Sequence, residues 1–364
     1  MKRCFSILFL LFLEFSFAQD TSDSNAMEVN YFRGNVLLHA PDLAHLVSGH
    51  PEGVLLSFSK KTNGKEAWHS LYNYPDYGGY FLFQDFKNEF LGKNYAVGVH
   101  YNFYFFKRTM LFKIAQGIAL STNPYHKETN SKNSAFGSKI MGNINLALNY
   151  KKENCLGNLG FQTGFIFTHF SNGRIKSPNS GINTLNFTIG FNYNLENKIQ
   201  KVQDSVPIEL HFNQPIKYNL VVRTGVNQSP IVGSGSHPFY HLSFYADKRV
   251  NKKSAIQVGT EVFLSNYNKE FIRYQSIAYP SKNIDPNTDY KRVGFFIGHE
   301  LFINKISLEA QLGYYIYQPY KYDIPIYDRL GMKYYFNDKI FTGFSLKTHG
   351  FLAEAMEFVM GVRF

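Results

Sequence analysis

Alternation of apolar and polar side chains decides the fold in one stretch, Lys139-Ile140-Met141-Gly142-Asn143-Ile144-Asn145-Leu146-Ala147-Leu148-Asn149-Tyr150-Lys151. Successive side chains of a β-strand point to opposite faces, so this pattern predicts a strand with one apolar and one polar face. Such stretches of about 10–13 residues are long enough for a tilted strand to cross a bilayer.

The same alternation recurs from Ile216 to Asn227 and from Ile306 to Ile316. Extended along the chain, it predicts strands near 53–60, 94–106, 109–120, 138–151, 155–171, 182–195, 216–227, 238–247, 254–264, 291–303, 305–316, 327–336, 340–349 and 354–364. We therefore expect an all-β protein, a transmembrane antiparallel β-barrel of about 14 strands (12 to 16).

The composition agrees with a barrel that meets lipid outside and water inside. Aromatic residues make up 17% of the chain while its mean hydropathy is −0.25, so apolar rings are interleaved with polar residues. After the N-terminal segment no window of about 18 apolar residues occurs, which excludes a helical membrane protein. A soluble, secreted β-sandwich or propeller is the alternative.

The first residues form an export signal. Lys2 and Arg3 precede an apolar run from Phe5 to Phe17, and Ser16-Phe17-Ala18 places small residues before a cut at Gln19. We expect a signal peptide at 1–18, a periplasmic N-terminal segment at 19–52 and the barrel at 53–364. Loss of the leader lowers the net charge from +11 by one, to +10, and leaves Cys155 as the only cysteine.

Connection lengths give the expected orientation. Those at 107–108, 152–154, 248–253, 304 and 337–339 are short, whereas those at 121–137, 172–181, 228–237, 265–290 and 317–326 are mostly longer. Short periplasmic turns and long external loops alternate in this way in outer-membrane barrels. Two connections depart from this alternation: 196–215 is long on the side of the short turns, and 350–353 is short on the side of the long loops. The terminal Phe364 resembles the C-terminal signal of such barrels, which predicts the outer membrane of a Gram-negative cell.

Chemistry is concentrated in Thr168-His169-Phe170-Ser171-Asn172-Gly173-Arg174-Ile175-Lys176-Ser177-Pro178-Asn179-Ser180-Gly181-Ile182-Asn183. His169 and Ser171 are two apart at a strand end, so they leave the same face. An imidazole beside a hydroxyl is the core of an activated serine nucleophile. Ser-Asn-Gly is also an ordinary turn sequence, and the stretch could be no more than a turn.

The parity of the strands places this pair on the lipid face. His169 and Ser171 continue the row of Phe165 and Phe167, and Asn183 begins the apolar row of the returning strand. In the expected orientation all three lie near the external end, facing the lipopolysaccharide of the outer leaflet. Polar groups on a lipid face are costly, so they indicate a lipid substrate.

The motif resembles that of the lipid A 3-O-deacylase family, the PagL-type acyloxyacyl hydrolases, which are outer-membrane barrels that remove an ester-linked acyl chain from lipid A. His169, Ser171 and Asn172 match its His-x-Ser-Asn motif, Asn179 its downstream Asn, and Asn183 the position of its triad acid. The resemblance implies that Ser171 is the nucleophile and His169 the general base. Asn172 and Asn179 would donate to the oxyanion, and the ending near Phe364 also looks like the larger family members.

One departure from the family pattern bears on activity. An amide at Asn183 can orient the imidazole but cannot stabilise the imidazolium by charge. Two other functions therefore stay open: a non-catalytic channel or structural barrel, and an outer-membrane phospholipase. Arg174 and Lys176 beside the site either hold lipid A phosphates or belong to a solvated loop.

The sequence predicts neither a cofactor nor a nucleic-acid partner. His39, His45 and His50 cluster near the N-terminus, but their spacing fits no compact metal motif, so no metal site is expected. The expected partners are lipid A and the outer membrane.

Overall fold

The computed structural model describes residues 24–196, 212–350 and 352–364. Within these ranges the chain forms sixteen strands: β1 (Ser24–Leu37), β2 (Glu52–Lys61), β3 (Asp76–Asp85), β4 (Lys93–Phe105), β5 (Met110–Ser121), β6 (Ile140–Leu156), β7 (Leu159–Ser171), β8 (Ile182–Asn194), β9 (Lys217–Gln228), β10 (Ser236–Arg249), β11 (Ser254–Ser265), β12 (Arg292–Ile303), β13 (Ile306–Tyr317), β14 (Ile326–Tyr335), β15 (Ile340–His349) and β16 (Leu352–Arg363). The helices are α1 (Ala67–Leu71) and α2 (Asn266–Ala278), with short 3₁₀ turns at Pro41–Leu46 and Pro280–Lys282.

The strands close into two barrels rather than one. Strands β1–β8 form the first barrel, in which β1 pairs with β8. Strands β9–β16 form the second, in which β16 pairs with β9. All neighbouring pairs within each barrel are antiparallel. The prediction of a single barrel of about 14 strands was therefore wrong in number and closure, although it was right in class.

Two strands were missing from the prediction. Strand β1 lies within 19–52, which was expected to precede the barrel, and β3 lies between the first two predicted strands. Strand β3 lacks the expected alternation because its inward side chains Tyr80 and Leu82 are apolar as well. They belong to a buried apolar cluster that fills one end of the first barrel. The unusually long connection at 196–215 joins the two barrels.

Connection lengths define the two ends of each barrel. The loop end carries the longer connections, including 122–139, 172–181 and 266–291, while the turn end carries tight connections such as 157–158 and 304–305. The expected signal peptide at 1–18 lies outside the described residues. Among the described residues, no helix has the length and apolarity needed to cross a membrane.

Outward and inward faces differ as the alternation predicted. On β8 the outward Phe187 and Phe191 are 52% and 60% exposed, whereas the inward Asn186 and Asn192 are buried. The interior of an eight-stranded barrel is just wide enough for side chains to fill it. In the first barrel Glu28 lies between Lys113 and Lys151, at 2.6 and 2.9 Å.

The interior of the second barrel is an ion-pair lattice. Arg329 contacts Glu261 at 2.8 Å and Glu357 at 2.7 Å, and all three side chains are fully buried. Arg223 contacts Glu309 at 3.1 Å, and Lys333 contacts the same carboxylate at 2.6 Å. Buried charges are tolerated only when they are paired and hydrogen-bonded, so each member of this lattice depends on the others.

We expect Arg329→Leu to lower the free energy of unfolding by about 3–5 kcal/mol, because it removes the closest cation from two buried carboxylates, Glu261 and Glu357. Equilibrium unfolding in urea measures the change. Lys291→Ala is the matched control, since Lys291 belongs to an exposed pair with Asp289 at 3.8 Å and should matter little. Equal stability of Arg329→Leu and wild type would contradict the structural role of the lattice.

Candidate functional site

The site is built on one strand pair at the loop end of the first barrel. Strands β7 and β8 are antiparallel neighbours in which His169 lies opposite Asn183, and Phe170 opposite Ile182. Because side chains alternate, His169, Ser171 and Asn183 all point outward. Phe170 and Ile182 point inward and are fully buried in the apolar cluster, where Phe170 packs edge-on against Phe86. The packing of Phe170 and Ile182 inside the barrel thus fixes the strand ends that carry the three polar side chains on the outer face.

The three predicted residues form a hydrogen-bonded chain. Asn183 Oδ1 lies 2.6 Å from His169 Nδ1, and His169 Nε2 lies 2.9 Å from Ser171 Oγ. An amide oxygen can only accept, so Nδ1 carries the ring proton and donates to Asn183. The unprotonated Nε2 then accepts the hydrogen bond of the Ser171 hydroxyl. This is the tautomer that a general base needs to take the hydroxyl proton.

Asn183 orients the imidazole where the family pattern has an acid. In the described part of the chain, no carboxylate is hydrogen-bonded to His169, and Glu153 pairs with Lys61 at the turn end of the barrel. In the loop 172–181, the hydroxyl of Ser180 donates a hydrogen bond to the carboxylate of Asp42 at 2.5 Å. Orientation of the ring therefore comes from the amide of Asn183.

Gly181 leaves room for the serine–histidine pair. Its φ is +67°, and a Cβ built there would lie 3.1 Å from Ser171 Cβ and 3.3 Å from His169 Cε1. The same Cβ would lie 3.0 Å from the carbonyl oxygen of Phe170. Any side chain at this position would be strained by the backbone and would press on both the serine and the histidine.

The two predicted oxyanion donors differ in what their amides contact. The side-chain amide of Asn172 donates to Ser138 Oγ at 3.0 Å and to the carbonyl of Lys176 at 2.8 Å, so it is used within the loop. Asn179 Oδ1 accepts a hydrogen bond from the backbone N–H of Asn172 at 2.8 Å. Asn179 Nδ2 is buried and has no hydrogen-bond partner among the described residues. Of the two, Asn179 holds the available donor.

The two basic residues of the loop lie in different places. Arg174 lies over the ring of Tyr267, in α2 of the second barrel, with 5.3 Å between its guanidinium carbon and the ring centre. Lys176 is exposed. The structure does not bring Arg174 and Lys176 together as a pair beside Ser171.

Support for the loop comes from residues that the motif did not single out. His39, in the connection between β1 and β2, lies with its Nε2 3.0 Å from the carbonyl of Ser180. The other two members of the predicted histidine cluster are elsewhere, with His45 against Lys132 and His50 against Asn35. Within the described ranges, no group of His, Cys, Asp and Glu is arranged to hold a metal ion.

A second serine–histidine–carboxylate chain lies inside the second barrel. His241 Nδ1 is 2.7 Å from Glu357 and its Nε2 is 3.1 Å from Ser265 Oγ. All three are completely buried, the ring is stacked against Phe239, and Glu357 also binds Arg329. This arrangement belongs to the interior lattice, because all three side chains are fully buried. In the chain at Ser171, which lies on the outer face, His169 and Asn183 are partly exposed and Ser171 is 6% exposed.

Comparison with known families gives two matches. Residues 52–192 match the model described as lipid A 3-O-deacylase (PagL). Residues 216–364 match the model described as acyloxyacyl hydrolase, C-terminal domain. The matches follow the two barrels. No curated protein matches the chain.

Similarity to solved structures is weak. A BenF-like porin from Pseudomonas fluorescens Pf-5 is 10% identical, with 96% of this chain and 99% of that one covered and a TM-score of 0.24. A mutant porin of Rh. blastica is 9% identical, with 94% and 99% covered and a TM-score of 0.20. A mutant of the TodX monoaromatic hydrocarbon channel is 9% identical, with 96% and 90% covered and a TM-score of 0.18. Scores this low support no conclusion about this chain.

We expect Gly181→Ala to abolish covalent labelling of Ser171 by a fluorophosphonate, because the added methyl displaces the serine and the histidine that activates it. Gly157→Ala is the matched control: its φ is +59°, and a Cβ there meets nothing within 4 Å. Both variants carry similar backbone strain, so only crowding at the site distinguishes them. Labelling that is unchanged in Gly181→Ala would show that the pair does not depend on this space.

Proposed function

Because the chain belongs to the lipid A 3-O-deacylase (PagL) family of acyloxyacyl hydrolases, we propose that Ser171 is the nucleophile of its deacylase activity and His169 the general base. The observation that carries this proposal is the hydrogen-bonded chain from Ser171 through His169 to Asn183 on the outer face of the first barrel. These hydrogen bonds support the proposal because they orient each group as its role requires.

The reaction proceeds in two steps of acyl transfer. Ser171 Oγ attacks the ester carbonyl of the acyl chain while His169 Nε2 takes its proton. Collapse of the tetrahedral intermediate breaks the ester bond, and His169 returns the proton to the departing sugar hydroxyl. Water, deprotonated by His169, then attacks the acyl-serine, releasing the fatty acid and restoring the Ser171 hydroxyl.

Asn179 is the side chain that we assign to the oxyanion. Its Nδ2 is a buried donor without a partner among the described residues, and its Oδ1 is fixed by the backbone of Asn172. A donor held in place before charge develops stabilises the intermediate without further reorganisation. Asn172 has a different role, since its amide holds the turn of the loop closed.

The outer face supports insertion into the outer membrane. Its strands present exposed aliphatic and aromatic side chains, while the interiors are filled by buried polar, charged and apolar side chains. Placed with the loop end outward, Ser171 faces the outer leaflet, where lipid A resides. Export by the leader at 1–18 fits this location. Filled interiors do not favour the channel alternative, because a pore needs open space through the barrel.

We expect cells expressing the wild-type protein to contain lipid A lighter by one acyl chain, and cells expressing Ser171→Ala to retain intact lipid A. Mass spectrometry of extracted lipid A measures this, with equal amounts of both proteins verified in the outer membrane. If wild type leaves lipid A intact but releases fatty acid from glycerophospholipids, the phospholipase alternative replaces the proposal. If Ser171→Ala is as active as wild type, Ser171 is not the nucleophile.

We expect Asn183→Asp to raise kcat about tenfold at neutral pH, because a carboxylate stabilises by charge the imidazolium that forms during attack. Asn183→Leu removes the acceptor of His169 Nδ1 and should lower kcat. Steady-state assays on lipid A in mixed micelles compare the two variants with wild type. A fall in kcat for a correctly folded Asn183→Asp protein would contradict the view that Asn183 stands in for the acid.

A further inference from the structure

The loop that follows the nucleophile touches both barrels. On the side of the first barrel, the backbone N–H groups of Ser180 and Gly181 donate to the carbonyls of Ser134 and Ala135, both at 3.2 Å. On the other side, residues 173–177 contact the second barrel. The loop 172–181 is therefore held at residues 180–181 by the first barrel and at residues 173–177 by the second.

Gln228, the last residue of β9, binds the near half twice. Its backbone N–H donates to the carbonyl of Arg174 at 3.0 Å, and its side-chain Oε1 accepts from the N–H of Ser177 at 2.9 Å. The Ser177 hydroxyl in turn donates to the carbonyl of Ser229 at 2.7 Å. Gln228, Ser177 and Ser229 are all buried. The backbones of Arg174 and Ser177 are thus both hydrogen-bonded to Gln228 of the second barrel.

A close approach of the barrels accompanies these hydrogen bonds. A Cβ built on Gly173 would lie 2.7 Å from Cβ of Met356, an outward residue of β16. A Cβ on Gly142 would lie 3.3 Å from Cε of Met356 and 3.4 Å from the carbonyl oxygen of Ser171. The absence of side chains at both glycines lets β16 pack directly against the backbone next to the nucleophile.

Arg174 extends the contact into the mouth of the second barrel. Its guanidinium lies over the ring of Tyr267, and its charge acts on Asp323 in the connection 318–325. Burial and the neighbouring Glu354 raise the pKa of Asp323, while Arg292 and Arg174 oppose that rise. Arg174 takes part in the contact between the barrels through its position over the ring of Tyr267.

We propose that the second barrel is a clamp that positions the catalytic loop, and that Gln228 is its principal positioning residue. The proposal rests on the function proposed for Ser171 and His169, and it gives the second barrel a role in that reaction. Misplacement of reacting groups by about 1 Å can cost about 100-fold in rate. A loop held from both sides keeps Asn179 and the backbone after Ser171 in register with the ester.

The test compares three full-length variants. Gln228→Leu keeps the size of the side chain but removes the acceptor of the Ser177 N–H. Gln228→Glu keeps an acceptor oxygen for the Ser177 N–H, and its protonated form also keeps a donor for the carbonyl of Ile231, which Gln228 Nε2 contacts at 3.3 Å. Tyr72→Phe is the matched control, because it removes a hydrogen bond between the barrels at the turn end, from the Tyr72 hydroxyl to the carbonyl of Phe302 at 2.6 Å.

Two measurements are made on each variant: kcat and KM for lipid A deacylation, and the rate of tryptic cleavage after Arg174 and Lys176. For Gln228→Leu we expect kcat to fall about 10- to 100-fold with little change in KM, and the loop to be cut faster than in wild type. Gln228→Glu and Tyr72→Phe should resemble wild type in both measurements. Should Gln228→Leu fail to fold, Ser177→Ala, which removes only the contact to Ser229, takes its place.

Two results would overturn the clamp: wild-type kcat and loop protection in Gln228→Leu, or an equal loss in Gln228→Leu and Gln228→Glu, which would indicate a general packing defect. Failure of the proposed function is recognised separately, since wild type would then leave lipid A intact. The tryptic measurement still tests the clamp in that case, because it does not depend on the substrate.

Discussion

Closure of each sheet at eight strands is the constraint on which the rest of the molecule depends. A closed barrel leaves no strand edge unpaired. At this strand number the interior is only wide enough for side chains. The apolar cluster and Glu28 with its two lysines fill the first barrel, and the ion-pair lattice with the aromatic side chains around it fills the second. No space remains there for a lipid. Chemistry on a substrate of that size must therefore take place on the outer surface, where the ends of β7 and β8 present their outward residues.

Position relative to the barrel wall also separates two similar hydrogen-bonded chains. Ser265, His241 and Glu357 form a complete serine–histidine–carboxylate set, but they are sealed within the lattice. Ser171 and His169 have only an amide to complete their set, yet they lie on the outer face. Exposure separates the two sets: the members of the first are fully buried, whereas His169 and Asn183 are partly exposed beside Ser171, which is 6% exposed. Hydrogen-bond geometry alone would have favoured the buried set.

The sequence predicted what depends on alternation and missed what depends on distant partners. The outward direction of His169, Ser171 and Asn183 follows from strand parity, and the structure brings the three together as expected. Strand β3 was missed because Tyr80 and Leu82 face an apolar cluster inside the barrel, which removes the polar half of the pattern. Strand β1 does alternate, but it lies between the expected leader and the histidines, in a region interpreted as a segment before the barrel.

Pairing between strands that are far apart in the chain is not encoded in periodicity. Closure of β1 on β8, and of β9 on β16, therefore could not be deduced, and the long connection at 196–215 appeared only as an irregularity. The position of Arg174 could not be predicted from the sequence for the same reason, because its partner Tyr267 belongs to the other barrel.

The even number of strands in each barrel has a consequence for how such a chain can grow. In an antiparallel barrel with an even number of strands, the chain enters and leaves at the same end of the barrel. Two such barrels can therefore be joined by a connection that stays at that end. Neither unit has to reverse its direction or open its sheet to accept a neighbour. Each can then accumulate substitutions under its own selection: one around a reactive surface, the other around the shape of the shared boundary. Duplication or fusion of complete barrels therefore leaves the strand order and the closure of each sheet unchanged.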